Sequence, residues 1–201
     1  MKFKVHPAIS KANDILEAIP ETTGKSVEEW TQILADAGMT TSKAMATYLR
    51  DQYSIGRPTA LVLFAKIKNI RADFEDKAYL EAAPAKIDRQ YTGGKRRLRP
   101  IADVLFSELD KLGADVGASP SKANVVFYRQ HLFAQVEAAA QNGLDVGLAL
   151  AGYKGKIPDH FENVDGNGKG HSITHKVSIA SLEGVDAELI HWMKTAYELD
   201  K

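Results

Sequence analysis

Leu144-Asp145-Val146-Gly147-Leu148-Ala149-Leu150 and Ile173-Thr174-His175-Lys176-Val177-Ser178-Ile179 decide the fold class. In both stretches apolar residues recur at every second position, the period of a strand whose successive side chains point to opposite faces. Two shorter runs precede them. Val125-Val126-Phe127-Tyr128 and Leu132-Phe133-Ala134-Gln135-Val136 are rich in β-branched and aromatic residues and read as strands too. Between the last two strand candidates lies a polar, glycine-rich segment, NVDGNGKGHS (163–172). Helical periodicity takes over on either side of this block. Residues 95–112 place Leu98, Ile101, Ala102, Leu105 and Leu109 on one stripe, and near the C-terminus Val185, Leu189, Ile190, Met193, Ala196 and Tyr197 share another. A helix, a run of strands and a helix predict an α+β fold: an antiparallel sheet with its helices segregated to one face or end.

Further outward, the first third of the chain predicts a small bundle of four short helices. Ile9, Ala12, Leu16 and Ile19 recur at helical spacing, with Pro20 expected to end that segment. Ser26 followed by Glu29 is a capping-box pattern opening the stripe Val27, Trp30, Ile33, Leu34 and Ala37, which Gly38 stops. Thr41 or Ser42 caps a third helix bearing Met45, Tyr48 and Leu49. A fourth starts with Pro58 in its first turn, runs to about residue 70, and is apolar on nearly every side, the mark of a central helix. The stretch RADFEDKAYLEAAPAKIDRQY (71–91) is charged, weakly periodic and interrupted by Pro84, and reads as a linker with some helix. The expected division is a helical domain over 1–72, a linker over 73–92 and an α+β domain over 93–201.

Composition limits the functional classes. The 201 residues are 44% hydrophobic and 26% charged, an ordinary globular balance. Lys+Arg and Asp+Glu stand at 26 each, so any attraction to nucleic acid must come from a local patch. The absence of cysteine removes disulfides, thiolate metal sites and cysteine nucleophiles, and fits a reducing compartment. The N-terminal residues lack the apolar core of a signal peptide, and the longest apolar run, 60–65, is too short for a bilayer. The expectation is a cytoplasmic protein with no membrane partner and no cofactor.

Several stretches resemble known families. TGKSVEEW (23–30) resembles the opening motif of a small helical domain in a bacterial family of unknown function. QYTGGKRRLRPI (90–101), LDVGLAL (144–150), THKVSI (174–179) and VDAELIHWMKTAY (185–197) resemble a second domain of unknown function that often follows the first. Together they cover nearly the whole chain. The resemblance implies the two-part architecture and brings no assigned catalytic residue or ligand. The second domain is similar to one sometimes appended to restriction-type nucleases and helicases, which implies nucleic acid by association alone.

Chemistry-bearing residues are sparse. Five of the six histidines lie in the C-terminal part: 131, 160, 171, 175 and 191. His171 and His175 are four apart, a ligand spacing on a helix but about 13 Å on a strand. Glu188 and His191 have the i, i+3 spacing of carboxylate-bridged metal sites without the further carboxylates these need. Asp165-Gly166-Asn167-Gly168-Lys169-Gly170 has the flavour of a calcium loop, yet lysines stand where oxygen ligands are required; its glycines could instead offer amides to a phosphate. Ser119-Pro120-Ser121-Lys122 satisfies S-x-x-K by letter only.

Binding signals are stronger. Arg89, Lys95, Arg96, Arg97 and Arg99 cluster beside Tyr91 and a glycine pair, and basic residues at a helix start oppose its dipole. They call for an anionic partner or for acidic neighbours, with the charged linker (Asp73, Glu75, Asp76, Glu81) as the nearest supply. Gly56-Arg57-Pro58 resembles the latter half of a helix-hairpin-helix, a turn that aims amides at a DNA phosphate, although Tyr53 and Ser54 stand where its first glycine belongs. Phe127, Tyr128 and Phe133 could stack on bases, though the core is the better expectation for strand aromatics. Three functions follow. The first is a binding or regulatory module using the open sheet face and residues 95–99, with no recognisable catalytic motif. The second is a nucleic-acid-binding accessory protein using Gly56, Arg57, Lys95, Arg96, Arg97 and Arg99. The third is an enzyme pairing His175 with Asp145 or Glu137. Nucleic acid or another protein is the candidate partner.

Overall fold

The structure is a computed structural model that describes residues 1–68, 76–139, 143–164 and 173–201. The chain divides into two compact units, one of residues 5–81 and one of residues 82–201 together with 1–4.

The first unit holds α1 (Pro7–Thr23), α2 (Val27–Asp36), α3 (Ser42–Tyr53) and α4 (Arg57–Ile67). The expected capping box forms: Glu29 N–H donates to Ser26 Oγ at 3.1 Å, and Ser26 N–H donates to the Glu29 carboxylate at 2.7 Å. Thr41 caps α3. Ile19, Trp30, Leu34, Met45, Leu49, Ile55, Ala60 and Leu63 make one core, and α4 packs against the other three helices. Pro20 does not stop α1, which runs on to Thr23. The Thr22 and Thr23 hydroxyls donate back to the carbonyls of Ala18 and Ile19, and Gly24 closes the helix in the left-handed region at φ 70°.

The second unit is a six-stranded antiparallel sheet in the order β1-β2-β3-β4-β6-β5, with β1 (Gly117–Pro120), β2 (Asn124–Tyr128), β3 (Leu132–Ala138), β4 (Leu144–Leu148), β5 (Glu162–Asn163) and β6 (His175–Ile179). The helices are α6 (Arg99–Asp110) and α7 (Ala187–Leu199). The stretch expected as a linker with some helix carries α5 (Asp76–Gln90). Register places Val125, Val136 and Val146 side by side, and likewise Phe127, Ala134 and Leu148; this face builds the core with Leu105, Leu109, Trp192 and Met193. The opposite face carries Gln135, Glu137, Asp145, Lys176 and Ser178 by alternation. Gly147 sits on that face because Ile173 crosses over it: a Cβ there would meet Ile173 Cγ2 at 2.7 Å.

One expectation for this unit is corrected, and one strand was not expected at all. The helix expected over 95–112 is a 3-10 turn, Gly93–Leu98, followed by α6. Pro100 has no N–H to give to the Arg96 carbonyl, so Arg99 N–H closes a tighter ring on it instead. The first strand, β1, had no signal in Gly-Ala-Ser-Pro. It exists through its partners, pairing with β2 on one side and with residues 2–4 on the other, where Lys4 N–H donates to the Ala118 carbonyl at 2.9 Å and Ala118 N–H to that of Lys2 at 2.8 Å.

Candidate functional site

The C-terminal end of α5, the 3-10 turn, the β1–β2 turn and the end of β3 enclose a cleft of about 510 Å³. Arg89, Lys95 and Lys122 line it with Gln90 and Glu137, and the buried Leu98 contributes an apolar wall. Three cations against one carboxylate make its field positive on a chain whose formal charge sums to zero.

Each side chain is placed by local structure. Ser121 shapes the β1–β2 turn, its Oγ accepting from Ala123 N–H and Asn124 N–H while donating to Asn124 Oδ1. That turn presents Lys122 at its tip. Gln90, 7% exposed, ties the turn to α5: its Nε2 donates to the carbonyls of Ser121 at 3.0 Å and Asn124 at 3.1 Å. Both amide hydrogens are thereby used, which fixes the amide's orientation and leaves Oε1 buried with no hydrogen-bond partner. Lys95 Nζ donates to the Ala138 carbonyl at 2.6 Å, anchoring the ammonium against the end of β3 with further donors to spare.

The basic run divides at this point. Lys95 belongs to the cleft. Arg96 and Arg97 are exposed and have no ion pair among the described residues. Arg99 is committed elsewhere: its Nη1 lies 2.6 Å from Asp88 and its Nε 2.7 Å from Asp103, with the guanidinium over the Tyr91 ring. The Asp88 hydrogen bond, more than any other contact, raises its pKa. The acids that answer Arg99 are therefore Asp88 and Asp103; of the four expected, Asp73 and Glu75 lie outside the described residues. The Tyr91 hydroxyl is buried without a partner, and desolvation raises its pKa.

Gly56 and Arg57 belong to the helical unit and do not contribute to this cleft. Gly56 is the N-cap of α4 at φ −64°, an ordinary extended conformation, and Arg57 is exposed beside it. The left-handed position of this turn falls on Ser54, at φ 56°.

His175 does not join Asp145 or Glu137. Register sets it opposite Leu148, on the face of Leu144 and Val146, whereas Asp145 and Glu137 alternate onto the other face. Thr174 Oγ1 stands 3.0 Å from its Nδ1. Asp145 is taken by Ser178, whose hydroxyl donates to it, and by Lys176 at 3.4 Å. The catalytic pairing fails because the β4–β6 register sets Ser178, and not His175, across from Asp145. Glu188 faces His160 at 3.6 Å, and no group of three metal-ligating side chains occurs among the described residues. Ser119 is buried in β1, donating to the Lys4 carbonyl. Phe127 and Phe133 are core. The loop 165–170 and His171 lie outside the described residues.

Sequence reasoning missed Gln90, Lys122 and Glu137 as parts of one site. Gln90 and Lys95 share the stretch QYTGGKRR, the one local signal available.

Comparison with protein families gives two matches. Residues 87–200 match the model of a family described as Domain of unknown function (DUF5655), and residues 12–69 match that of Domain of unknown function (DUF4287). The first match spans more than half of the chain, which belongs to that family. No curated protein and no solved structure matches the chain. No helix among the described residues is long and apolar enough to cross a membrane.

Proposed function

We propose that the chain is a binding module whose ligand is an anion seated in the cleft between α5 and the β1–β2 turn. The observation that supports this is the convergence of Arg89, Lys95 and Lys122 around one cleft. Cations brought together from three separate elements repel one another, so the arrangement gains when an anion lies between them. The module works in a reducing compartment, and the unit of residues 82–201 with 1–4 holds its binding cleft. No catalytic residue is assigned.

The test is calorimetric titration of the full chain with inorganic pyrophosphate at low and moderate salt. Binding should weaken about tenfold or more in the Lys95→Ala, Lys122→Ala double variant, since each charge-assisted contact carries about 1.5–3 kcal/mol. Pyrophosphate binding indifferent to both lysines sinks the proposal.

A second reading has its own support. Arg96 and Arg97 extend the positive surface beyond the cleft without any acid pairing among the described residues. Short single-stranded DNA or RNA that binds with a steep salt dependence, lost in the Arg96→Ala, Arg97→Ala variant but not in the lysine variant, favours nucleic acid.

A further inference from the structure

We infer that the anion is the doubly charged head of a phosphomonoester, carried on a small molecule. This rests on the anion reading above and adds the ligand's charge and shape. Arg89, Lys95 and Lys122 line the cleft from three separate elements: the last turn of α5, the 3-10 turn and the β1–β2 turn. Neither these three nor Glu137 makes an ion pair among the described residues. Three cations against one carboxylate leave two positive charges over. Lys95 spends one N–H on the Ala138 carbonyl and keeps two, while the other two cations have all of theirs to give.

A phosphomonoester answers both counts. At neutral pH its head carries close to two negative charges on three acceptor oxygens, so each cation finds an oxygen of its own and the surplus charge is cancelled. A phosphodiester or a carboxylate brings two charged oxygens and a single charge, which leaves one cation without a counterpart. A sulfate ester has the three oxygens but only one charge. Leu98, Ala123 and Ala139 supply wall for the body of the ligand, and about 510 Å³ lies within the usual range for small-molecule sites.

The experiment titrates the full chain with phenyl phosphate, phenyl sulfate and methyl phenyl phosphate, with inorganic pyrophosphate as reference. The shared ring makes differences among the first three report the head group. Phenyl phosphate should bind about tenfold or more tighter than the other two at neutral pH. Below the second phosphate ionisation, at about pH 6, its affinity should fall to that of phenyl sulfate, whose own titration controls for Arg89, Lys95, Lys122 and Glu137. Lys122→Ala should cost phenyl phosphate roughly the square of the factor it costs phenyl sulfate, because the Coulomb energy doubles with the ligand's charge. Glu137→Gln should tighten both in the same proportion, a gain that loss of structure cannot produce. Phenyl sulfate or the diester binding as tightly as phenyl phosphate, with sensitivity to Lys95 and Lys122, overturns the inference and leaves the anion reading standing. Binding of pyrophosphate alone does the same. A short oligonucleotide that outbinds phenyl phosphate only when it is 5′-phosphorylated overturns the small-molecule half. No binding by any probe removes both readings.

Discussion

Replacing Asp200 by alanine should unfasten the end of α7 from the β2–β3 turn, and the structure sets the scale of the loss. The Asp200 side chain is only 6% exposed. Its carboxylate accepts from Gln130 N–H at 3.1 Å and from His131 N–H at 2.9 and 3.0 Å, and His131 Nδ1 stands 2.9 Å from Oδ1. Hydrogen bonds to a charged group contribute about 1.5–3 kcal/mol each, but Gln130 and His131 are exposed, so water recovers part of what alanine removes. A net loss of about 2–3 kcal/mol follows, and at roughly 3–5 °C per kcal/mol for a unit of this size the Tm falls by about 6–15 °C. Asp200→Asn retains one acceptor oxygen and should lose about half as much. The assay is thermal and urea unfolding, with hydrogen exchange read at the Gln130 and His131 amides. Both amides should exchange faster in the alanine variant before global unfolding sets in. A stability change under about 0.5 kcal/mol, the level of an ordinary surface substitution, with unaltered amide protection refutes the reasoning.

Three further outcomes are expected. Ser54→Gly relieves a left-handed residue at φ 56°, and after the entropic cost of glycine it should stabilise the helical unit by about 0.5–1 kcal/mol; a lower Tm counts against this. Tyr91→Phe deletes a buried hydroxyl that has no partner, so the urea midpoint should rise by the equivalent of about 1 kcal/mol, whereas a fall would mean that the hydroxyl is bonded. The Asp115 carboxyl is held below its ordinary range, first by the Arg129 hydrogen bond and then by the Tyr197 hydroxyl. Its folded pKa is depressed, so its contribution is complete above the unfolded value of about 4 and is lost as pH falls through the folded one. The Tm gap between the wild type and Asp115→Asn should therefore be constant near neutrality and close only in acid; a gap that persists unchanged at low pH contradicts it.

The strands legible in the sequence are those whose side chains carry their own reason for alternating. Val125, Val136, Val146 and Ile179 all reach the core, and each lies in a run that reads as a strand by itself. The Gly117–Pro120 segment has neither branched side chains nor polar alternation, and all four of its residues are buried. Its conformation comes from hydrogen bonds to β2 and to residues 2–4, groups up to 116 positions away in the chain. Pro20 was misread for the opposite reason. A local rule ends a helix at proline, yet Pro20 forgoes only one backbone donor, and the helix continues until left-handed Gly24 closes it by donating to the Pro20 carbonyl.

The site follows the same division. A run of basic letters at 95–99 announces charge, but charge alone does not decide what each residue does. That depends on the partner each side chain finds across the fold. Arg99 reaches back to Asp88 and forward to Asp103, so it is neutralised within its own helices. Lys95, four residues earlier, crosses to the Ala138 carbonyl and keeps its charge at the cleft. Gln90 is the more instructive residue, because an amide in a sequence declares two donors and one acceptor without saying which are already used. The β1–β2 turn takes both donors, and only that tertiary contact leaves Gln90 Oε1 as a buried acceptor. What it does follows from being unable to turn around: with both hydrogens committed, the amide ties the β1–β2 turn, and Lys122 with it, to the end of α5.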